Sequence, residues 1–559
     1  MASATRDEKP VGRETLPEST SPNVSPASLA DDLLSSEDEA KINILPVGWK
    51  LGGIIASLML GVFCMALDNT IISVAIPKIT TDFHNLNDVG WYASAYLLPG
   101  CAFQLLAGKL YTYFDIKMVF LIALFIFEVG SLVCGVAPTS TALIVGRAVA
   151  GLGSAGIFTG ALVTIAHVVE LEKRPLYFSL IGGVYGLASI IGPLLGGAFT
   201  DKVTWRWCFY INLPLGGVAA VGLLLLLRLK PQRQSQKTWR KIFWSLDPIG
   251  TVIFVPSIVC LLLALAWGGT TYPWSNGRII ALFVVFALSL ISFCALQLYL
   301  KEDATVPVSI ARQRTIACAS LFEFCVGASF FIFVYFVPIW FQAIKGTDAV
   351  TAGVDLLPLI LSEIVAIAIS GALVAQVGFF APFFIASSVV MSVGAGLCLL
   401  LDVHTSTSKW VGYQFLYGFG VGLGFQQGTV AAQAVLPFND VALGTAVVVF
   451  LQVLGGSIFV SVAQSQFTSR LVANLLELNI PGISPEDIVH AGATALRDLV
   501  PEESLPQVLV AYNDAIIKAL RVGVITAAIS LLGAVGVEWK NMKKPKGETE
   551  AGMITPMAA

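Results

Sequence analysis

From Lys50 to Val537 the chain is a near-unbroken succession of apolar runs, most of them close to the length of a membrane-spanning helix. A helix needs about 20 apolar residues to cross the hydrocarbon core of a bilayer. Runs of that kind fall at 50–76, 89–110, 118–137, 141–168, 177–199, 207–228, 247–268, 278–300, 315–341, 353–375, 381–402, 409–435, 443–467 and 519–538. The joining loops are short, except for a basic linker at 229–246 and a segment at 468–518 before the last run. Charged residues make up 12% of the 559 positions and hydrophobic ones 56%. A soluble domain carries about a quarter charged residues, so a water-soluble fold would lack the polar surface to cover this bulk. The expected fold class is an all-α integral membrane protein with fourteen transmembrane helices.

Residues 1–48 are rich in Ser, Pro and acids (Asp31, Asp32, Glu37, Asp38, Glu39) and read as a disordered tail without a secretory signal. The charge distribution tests the tiling independently. With the N-terminus placed in the cytoplasm, the inside loops and C-terminal tail hold seventeen basic residues (Lys109, Lys117, Lys173, Arg174, Arg228, Lys230, Arg233, Lys237, Arg240, Lys241, Lys301, Arg312, Arg314, Lys540, Lys543, Lys544 and Lys546). The outside loops hold six (Lys78, Lys202, Arg206, Arg278, Lys345 and Lys409). That separation follows the positive-inside rule, so both termini are expected in the cytoplasm. A short repeat agrees: at the ends of their runs, Gly108-Lys109-Leu110 opens the cytoplasmic turn after the second helix and Gly371-Ala372-Leu373 the turn after the tenth. These positions are equivalent if two halves of six helices flank two inserted ones, as in a parallel-repeat transporter. The expected divisions are a tail 1–48, a bundle 49–228, the linker 229–246, two inserted helices 247–300, a second bundle 301–540 and a tail 541–559.

Several functions are disfavoured by what the chain carries. Its formal charge of −3 gives no electrostatic footprint for nucleic acid. Nine Cys lie inside apolar stretches without paired spacing, and His84, His167, His404 and His490 are scattered, so no metal site or membrane-enzyme centre is expected. No Gly-Lys-Ser/Thr run exists to cradle a nucleotide. No cofactor is expected, nor an N-glycan, because Asn23-Val24-Ser25 lies on the cytoplasmic tail.

The run Leu67-Asp68-Asn69-Thr70-Ile71-Ile72-Ser73-Val74-Ala75-Ile76-Pro77 resembles the first-helix motif of the fourteen-helix drug:proton antiporters of the major facilitator superfamily. Trp205-Arg206-Trp207-Cys208-Phe209-Tyr210-Ile211-Asn212-Leu213-Pro214 is similar to that family's entry to helix six, and Pro338-Ile339-Trp340-Phe341-Gln342-Ala343-Ile344-Lys345-Gly346 to its ninth-helix exit. Gly146-Arg147-Ala148-Val149-Ala150-Gly151-Leu152-Gly153 resembles its proton-transfer motif. Gly186 followed by Gly192-Pro193-Leu194-Leu195-Gly196-Gly197 resembles the motif associated with antiporters. The likeness covers residues 45–540 and points to the fungal branch that exports toxins and other secondary metabolites. It implies a major facilitator fold, two six-helix bundles with two inserted helices, working by alternating access at the plasma membrane as a monomer, with protons and a small hydrophobic compound as partners. Proton-driven uptake, a membrane enzyme and a transport-dead sensor are the rival readings. The loop after the second run departs from the family: Thr112 stands where Asp is usual and Tyr113 where Arg is usual, leaving Asp115 and Lys117 either as substitutes for a charge latch or as solvated loop charges.

Ionisable residues inside a membrane are costly, so each is a functional candidate. The tiling buries Asp68, Glu128, Arg147, Glu323 and Glu363. Asp68 lies about 27 Å from Lys50 along its helix and Arg147 about 9 Å from Thr141, which puts both near the outer side. The resemblance places both helices on a central cavity, where Asp68 would take an external proton and release Arg147; the structural alternative is a static pair. Glu323 and Glu363, near mid-depth, are further candidates for coupling to protons or to a cationic substrate, and Glu128 reads as a structural hydrogen-bonded carboxyl. In the antiporter motif, Gly186, Gly192, Gly196 and Gly197 allow close helix approach and Pro193 removes a backbone donor and bends the helix. Gly420, Gly424 and Gly428 repeat at four-residue spacing as a further small-residue face. Candidate cavity residues are Tyr96, Gln104, Tyr185, Tyr335, Trp340, Gln342, Gln426, Gln427 and Gln452, a surface suited to bulky apolar cargo held by a few polar contacts. For each of these the alternative is a core aromatic, an interface-belt aromatic or an interhelical hydrogen bond.

Overall fold

Hydrocarbon offers no partner to a backbone N–H or C=O, so an apolar run of this length satisfies itself as a helix. The computed structural model describes residues 46–84, 88–229, 239–269, 272–478, 488, 496–497 and 499–543. The expected disordered tail up to residue 45 with its Asn23 sequon, the middle of the basic linker (230–238) and the tail from 544 onward lie outside the described residues. Twelve helices among the described residues are long and apolar enough to cross a membrane.

The first set of helices is α1 (Trp49–Phe83), α2 (Val89–Ala102), α3 (Gln104–Tyr113), α4 (Ile116–Val136), α5 (Ser140–Val168), α6 (Arg174–Lys202) and α7 (Asn212–Leu226). A hairpin of α8 (Pro248–Trp267) and α9 (Gly277–Leu300) follows. The second set is α10 (Arg314–Trp340), α11 (Leu357–Val377), α12 (Ala381–Cys398), α13 (Thr407–Gly424), α14 (Gln427–Val435), α15 (Val441–Leu478) and α16 (Leu505–Gly536).

Two of the predicted runs are not single helices. Run 89–110 divides at Phe103 into α2 and α3, just past Pro99, and run 409–435 divides at Phe425 and Gln426 into α13 and α14. Both breaks lie beside the central cavity. Interrupted backbone at membrane depth is tolerated where protein or a cavity surrounds it.

The packing repeats between the two sets. In the first, α1 pairs with α6 and α7, α4 with α5, and α2 with α5; in the second, α10 pairs with α15 and α16, α12 with α13, and α11 with α13. The sets meet at two equivalent seams, α3 against α15 and α6 against α11. The two glycines of the short sequence repeat sit in those seams. A Cβ on Gly108 would overlap Ala446, and one on Gly371 would overlap the side chain of Ser179 and the carbonyl of Pro175. Side chains bridge the sets at the same end: Ser179 Oγ donates to the Ile367 carbonyl (2.9 Å) and Arg174 Nη1 to Gln433 Oε1 (3.4 Å). This predicted cytoplasmic end is therefore sealed.

The segment at 468–518, expected either as short helices over the outer face or as a loose outward-facing loop, is mostly helical among its described residues. α15 continues to Leu478 and α16 begins at Leu505, while residues 479–487, 489–495 and 498 lie outside the described ones. The buried Phe467, Leu471 and Leu475 recur every four residues and pack towards Val508 and Tyr512. Such a stripe among charged neighbours carries too little mean hydropathy to register as a membrane run. Arg470 pairs with Asp514 across the same contact (2.6 Å).

The departing loop after α3 resolves in an unexpected way. Asp115 caps α4 by accepting from Met118 N (2.9 Å), and Lys117 donates to the Leu224 carbonyl (2.8 Å), so both act within the first set. Lys109 is the residue that reaches out. Its buried Nζ donates to the carbonyls of Ser245 and Asp303 (both 2.8 Å), which flank the hairpin α8–α9. Next to it, Asp247 adopts the left-handed region (φ 52°) and accepts from Gly250 N, Gln297 Nε2, Thr305 N and Thr305 Oγ1. Those bonds tie both hairpin helices to the residues that lead into α10. Replacing Lys109 by Met would keep the apolar stem and take the donor from both carbonyls, at about 1–3 kcal/mol for the buried one of Ser245. The expected outcome is a lower melting temperature of the detergent-purified protein; an unchanged melting temperature would show that the hairpin is held by its apolar contacts alone.

Candidate functional site

A carboxylate and a guanidinium meet in the interior of the first set. Asp68 on α1 and Arg147 on α5 are fully buried and joined by a direct ion pair from Arg147 Nη1 to Asp68 Oδ2. Arg147 Nη1 also donates to the Asp68 carbonyl (3.2 Å) and Nε to the Tyr92 carbonyl (2.9 Å). The second Asp68 oxygen accepts from Asn212 Nδ2 (3.1 Å), the first residue of α7. Glycines on α5 make the approach possible: a Cβ on Gly151 would overlap the Tyr96 backbone, and one on Gly146 the Cys134 backbone. Towards the predicted outer end, the Tyr92 hydroxyl donates to Ser140 Oγ (3.0 Å), which donates to Asp88 Oδ2 (2.5 Å). Buried ions are stable in hydrocarbon only when paired and hydrogen-bonded. Here one proton arriving on Asp68 would remove the partner of Arg147.

The second set holds a different arrangement. Glu323 on α10 is buried, with Oε1 accepting from Gly428 N (2.9 Å) near the start of α14 and Oε2 accepting from Gln452 Nε2 (2.7 Å). Gly428 belongs to the four-residue glycine repeat, and a Cβ there would collide with Glu323. Gln452 Nε2 donates as well to the Phe425 carbonyl (3.2 Å) at the helix break. Both N–H groups of that amide are thereby used, which leaves its carbonyl oxygen as the free group. Glu363 is buried on α11 without a hydrogen bond to Glu323 among the described residues, so the structure does not join these two candidates.

Between the sets lies a cavity. Of the candidates, Tyr96, Gln104, Tyr185, Gln426 and Gln452 line it. The remaining polar lining is Asn69 and Ser154, and Met65, Phe158, Phe331, Phe425, Val449 and Val453 supply much of the apolar wall. Among the described residues, its lining contains no Asp, Glu, Lys or Arg. Asp68 is two side chains away from it, through Arg147 and Tyr96, and Glu323 is one, through Gln452. The Arg147 guanidinium stacks over the Tyr96 ring (4.4 Å to the centroid), and Glu323 holds Gln452.

Four other candidates lie elsewhere. Tyr335, on α10, is 48% exposed and outside this lining, Trp340 is buried and donates to Asn513 Oδ1 (2.7 Å) within the second set, and Gln342 lies in the π-helical turn that follows α10. Gln427 is turned away from the cavity towards Ser370 Oγ (3.4 Å). Residue type alone could not separate these from the true lining, because helix rotation decides which face an amide or ring presents. Asn69, missed on sequence, carried a signal: it follows Asp68 directly and is polar within an apolar run.

A family model described as the Major Facilitator Superfamily matches residues 58–460, well over half of the chain. The chain belongs to that superfamily. Its curated relatives include the efflux pump aflT of Aspergillus parasiticus, 59% identical over 500 residues that cover 89% of this chain and 97% of that protein. The MFS-type efflux pump MFS1 of Arthroderma benhamiae is 53% identical over 517 residues, covering 92% and 96%. The MFS-type transporter phomT of Diaporthe leptostromiformis is 52% identical over 534 residues, covering 95% and 90%. Among solved structures, the human organic anion transporter MFSD10 (TETRAN) aligns with a TM-score of 0.51 at 12% identity, over 84% of this chain and 98% of its own, a likeness of fold. The expected resemblance to fungal major facilitator efflux pumps is thus met, and the chain is a multi-pass membrane transporter.

Within this major facilitator protein the antiporter-type glycines divide their work. A Cβ on Gly192 would overlap Thr70, one on Gly196 the Ile71 carbonyl, and one on Gly186 the side chain of Ile364 across the seam, while Gly197 has room. α6 runs through Pro193 as one continuous helix, so the proline does not break it.

Proposed function

We propose that this major facilitator protein is a fourteen-crossing, proton-driven exporter of neutral, largely hydrophobic fungal metabolites. Counting α2 with α3 and α13 with α14 as broken crossings adds two to the twelve uninterrupted ones. Residues 49–228 and 301–540 then form two six-helix bundles around the inserted helices 247–300. Both termini face the cytoplasm and the carrier works as a monomer in the plasma membrane.

The observation that carries the reading is an uncharged cavity flanked by two buried carboxyl systems, one reaching it through Arg147 and Tyr96 and the other through Gln452. Aromatic rings offer area for a flat apolar molecule, and the amides of Asn69, Gln104, Gln426 and Gln452 offer hydrogen bonds. A charged cargo would enter without a counter-ion and lose its hydration. Protons enter at Asp68, whose protonation releases Arg147. Glu323 holds the Gln452 amide by a charge-assisted bond, and protonating Glu323 loosens it. Glu363 serves as a further proton group on the α11 side of the cavity, and Gly186, Gly192, Pro193, Gly196 and Gly197 form the sliding surface of α6 during rocking.

Yeast lacking its own efflux pumps and expressing the chain tests this. Cells loaded with a neutral aromatic polyketide are expected to clear it about tenfold faster than cells loaded with its carboxylated analogue, the effect of roughly one uncompensated polar group. A protonophore should abolish that difference. Equal clearance of both compounds would overturn the cargo assignment. Within the same assay, Gln452→Ala is expected to raise the apparent KM about tenfold through the loss of one hydrogen bond and its positioning.

A further inference from the structure

The polar string around Asp68 continues past Asn212. The same Asn212 Nδ2 also donates to Ser131 Oγ on α4 (3.2 Å). One turn before Ser131, on the same face of α4, stands Glu128. Both of its carboxyl oxygens are buried, and neither has a hydrogen-bond partner among the described residues. The hydrogen-bonded structural role expected for it is therefore not what the structure places there. The carboxyl lies against Gly216 of α7, where a Cβ would overlap it. Ser131 and Glu128 are three residues apart on α4, and Asn212 and Gly216 four apart on α7, so the two helices face each other along one turn. The ladder descends about 4.5 Å from Ser131 to Glu128, away from the outer mouth. The titratable and charged groups around Glu128 are Cys64 and Asp68 on α1, with Arg147 of α5 behind Asp68; α7 contributes only the neutral Asn212 and Gly216.

We propose that Glu128 is a second proton-binding site of the carrier, filled from the Asp68–Arg147 pair and next in line towards the cytoplasmic end. The inference rests on the proton-driven export argued above. A carboxylate without a partner in hydrocarbon is far costlier than the neutral acid, so the resting Glu128 holds its proton. Asp68, ionised, is held by Arg147. Ser131, bonded to the same Asn212 amide as Asp68, can accept a proton on one lone pair while donating its own. After Glu128 has released its proton inward, a protonated Asp68 passes its proton through Ser131. Asp68 carboxylic acid and Glu128 carboxylate become Asp68 carboxylate and Glu128 carboxylic acid, Ser131 is unchanged, and Arg147 regains its partner.

Glu128→Gln is the decisive variant, because glutamine matches the neutral acid in shape and cannot release a proton. In proteoliposomes, the accumulation of cargo driven by a pH difference is expected to fall at least about tenfold, with cargo counterflow at equal pH unchanged. Glu128→Asp should recover most of the driven accumulation. Infrared spectra at neutral pH should show a protonated-carboxyl band in the wild type that Glu128→Gln lacks. Undiminished accumulation in Glu128→Gln overturns the proposal. So does a parallel loss of counterflow that Glu128→Asp fails to repair, or the absence of the band. If Glu128→Gln does not fold, the band is assigned from its shift in Glu128→Asp and judged in the same way. A wild-type carrier indifferent to the pH difference would remove the drive itself, and the infrared band would then decide alone whether Glu128 binds a proton.

Discussion

Asp68→Asn is expected to abolish gradient-driven efflux, by at least about a hundredfold, while the protein still inserts and binds cargo. Asparagine preserves the shape of the acid and keeps an oxygen for Arg147 Nη1 and an amide for the surrounding polar groups, but it can neither hold a charge against Arg147 nor take up a proton. Removing one partner of a buried pair costs about 3–5 kcal/mol, and the bonds from Arg147 to the Tyr92 and Asp68 carbonyls offset part of that loss. The pattern that distinguishes coupling from architecture is the split between two assays. Driven accumulation should vanish while counterflow, which moves no net proton, survives. Loss of both together would make the pair a structural fastening of α1 to α5. Arg147→Ala should be nearly as damaging. Arg147→Lys reports whether geometry matters, since a lysine cannot donate to Asp68 and the Tyr92 carbonyl from one planar fork.

Wedging the sealed end should have an effect of comparable size on transport through a different route. Gly108→Leu places a branched chain against Ala446, the Ala442 carbonyl and Leu443, and Gly371→Leu does the same against Ser179 and Pro175. Overpacking of this kind costs about 1–3 kcal/mol. Because the strain exists only while the two sets are closed at that end, it shifts the carrier about ten- to hundredfold towards the opposite opening. Both variants should lose driven efflux, and cysteines introduced along the cavity should label faster from the cytoplasmic face of inside-out vesicles. Two variants with one phenotype would tie the seams α3–α15 and α6–α11 together as halves of one device. Unchanged labelling in either variant would separate them.

The parts legible in the sequence were those that depend on hydrophobic periodicity and depth. Apolar run lengths located the helices, and counting residues from Lys50 and Thr141 put Asp68 and Arg147 at one level, where they are in contact. Equivalence of Gly108 and Gly371 was visible because a repeated topology repeats its closest contacts. Features set by tertiary packing were hidden. Lys109 reads as an ordinary loop cation, because its acceptors are backbone carbonyls 136 and 194 residues away. Tyr335 and Trp340 have the composition of a binding surface, yet one lies outside the cavity lining and the other bonds Asn513. The interruptions at Phe103 and Phe425 follow Pro99 and Gly424, signals that a continuous hydropathy trace averages away.

Purified carrier in sealed proteoliposomes, loaded by dilution with one neutral aromatic cargo, tests the central claim most directly. Cargo uptake should exceed equilibrium when the vesicle interior is made acidic relative to the bath, collapse to equilibrium when a protonophore is added, and stay at equilibrium throughout in Asp68→Asn. Accumulation of equal size with no pH difference and no voltage across the membrane would contradict it.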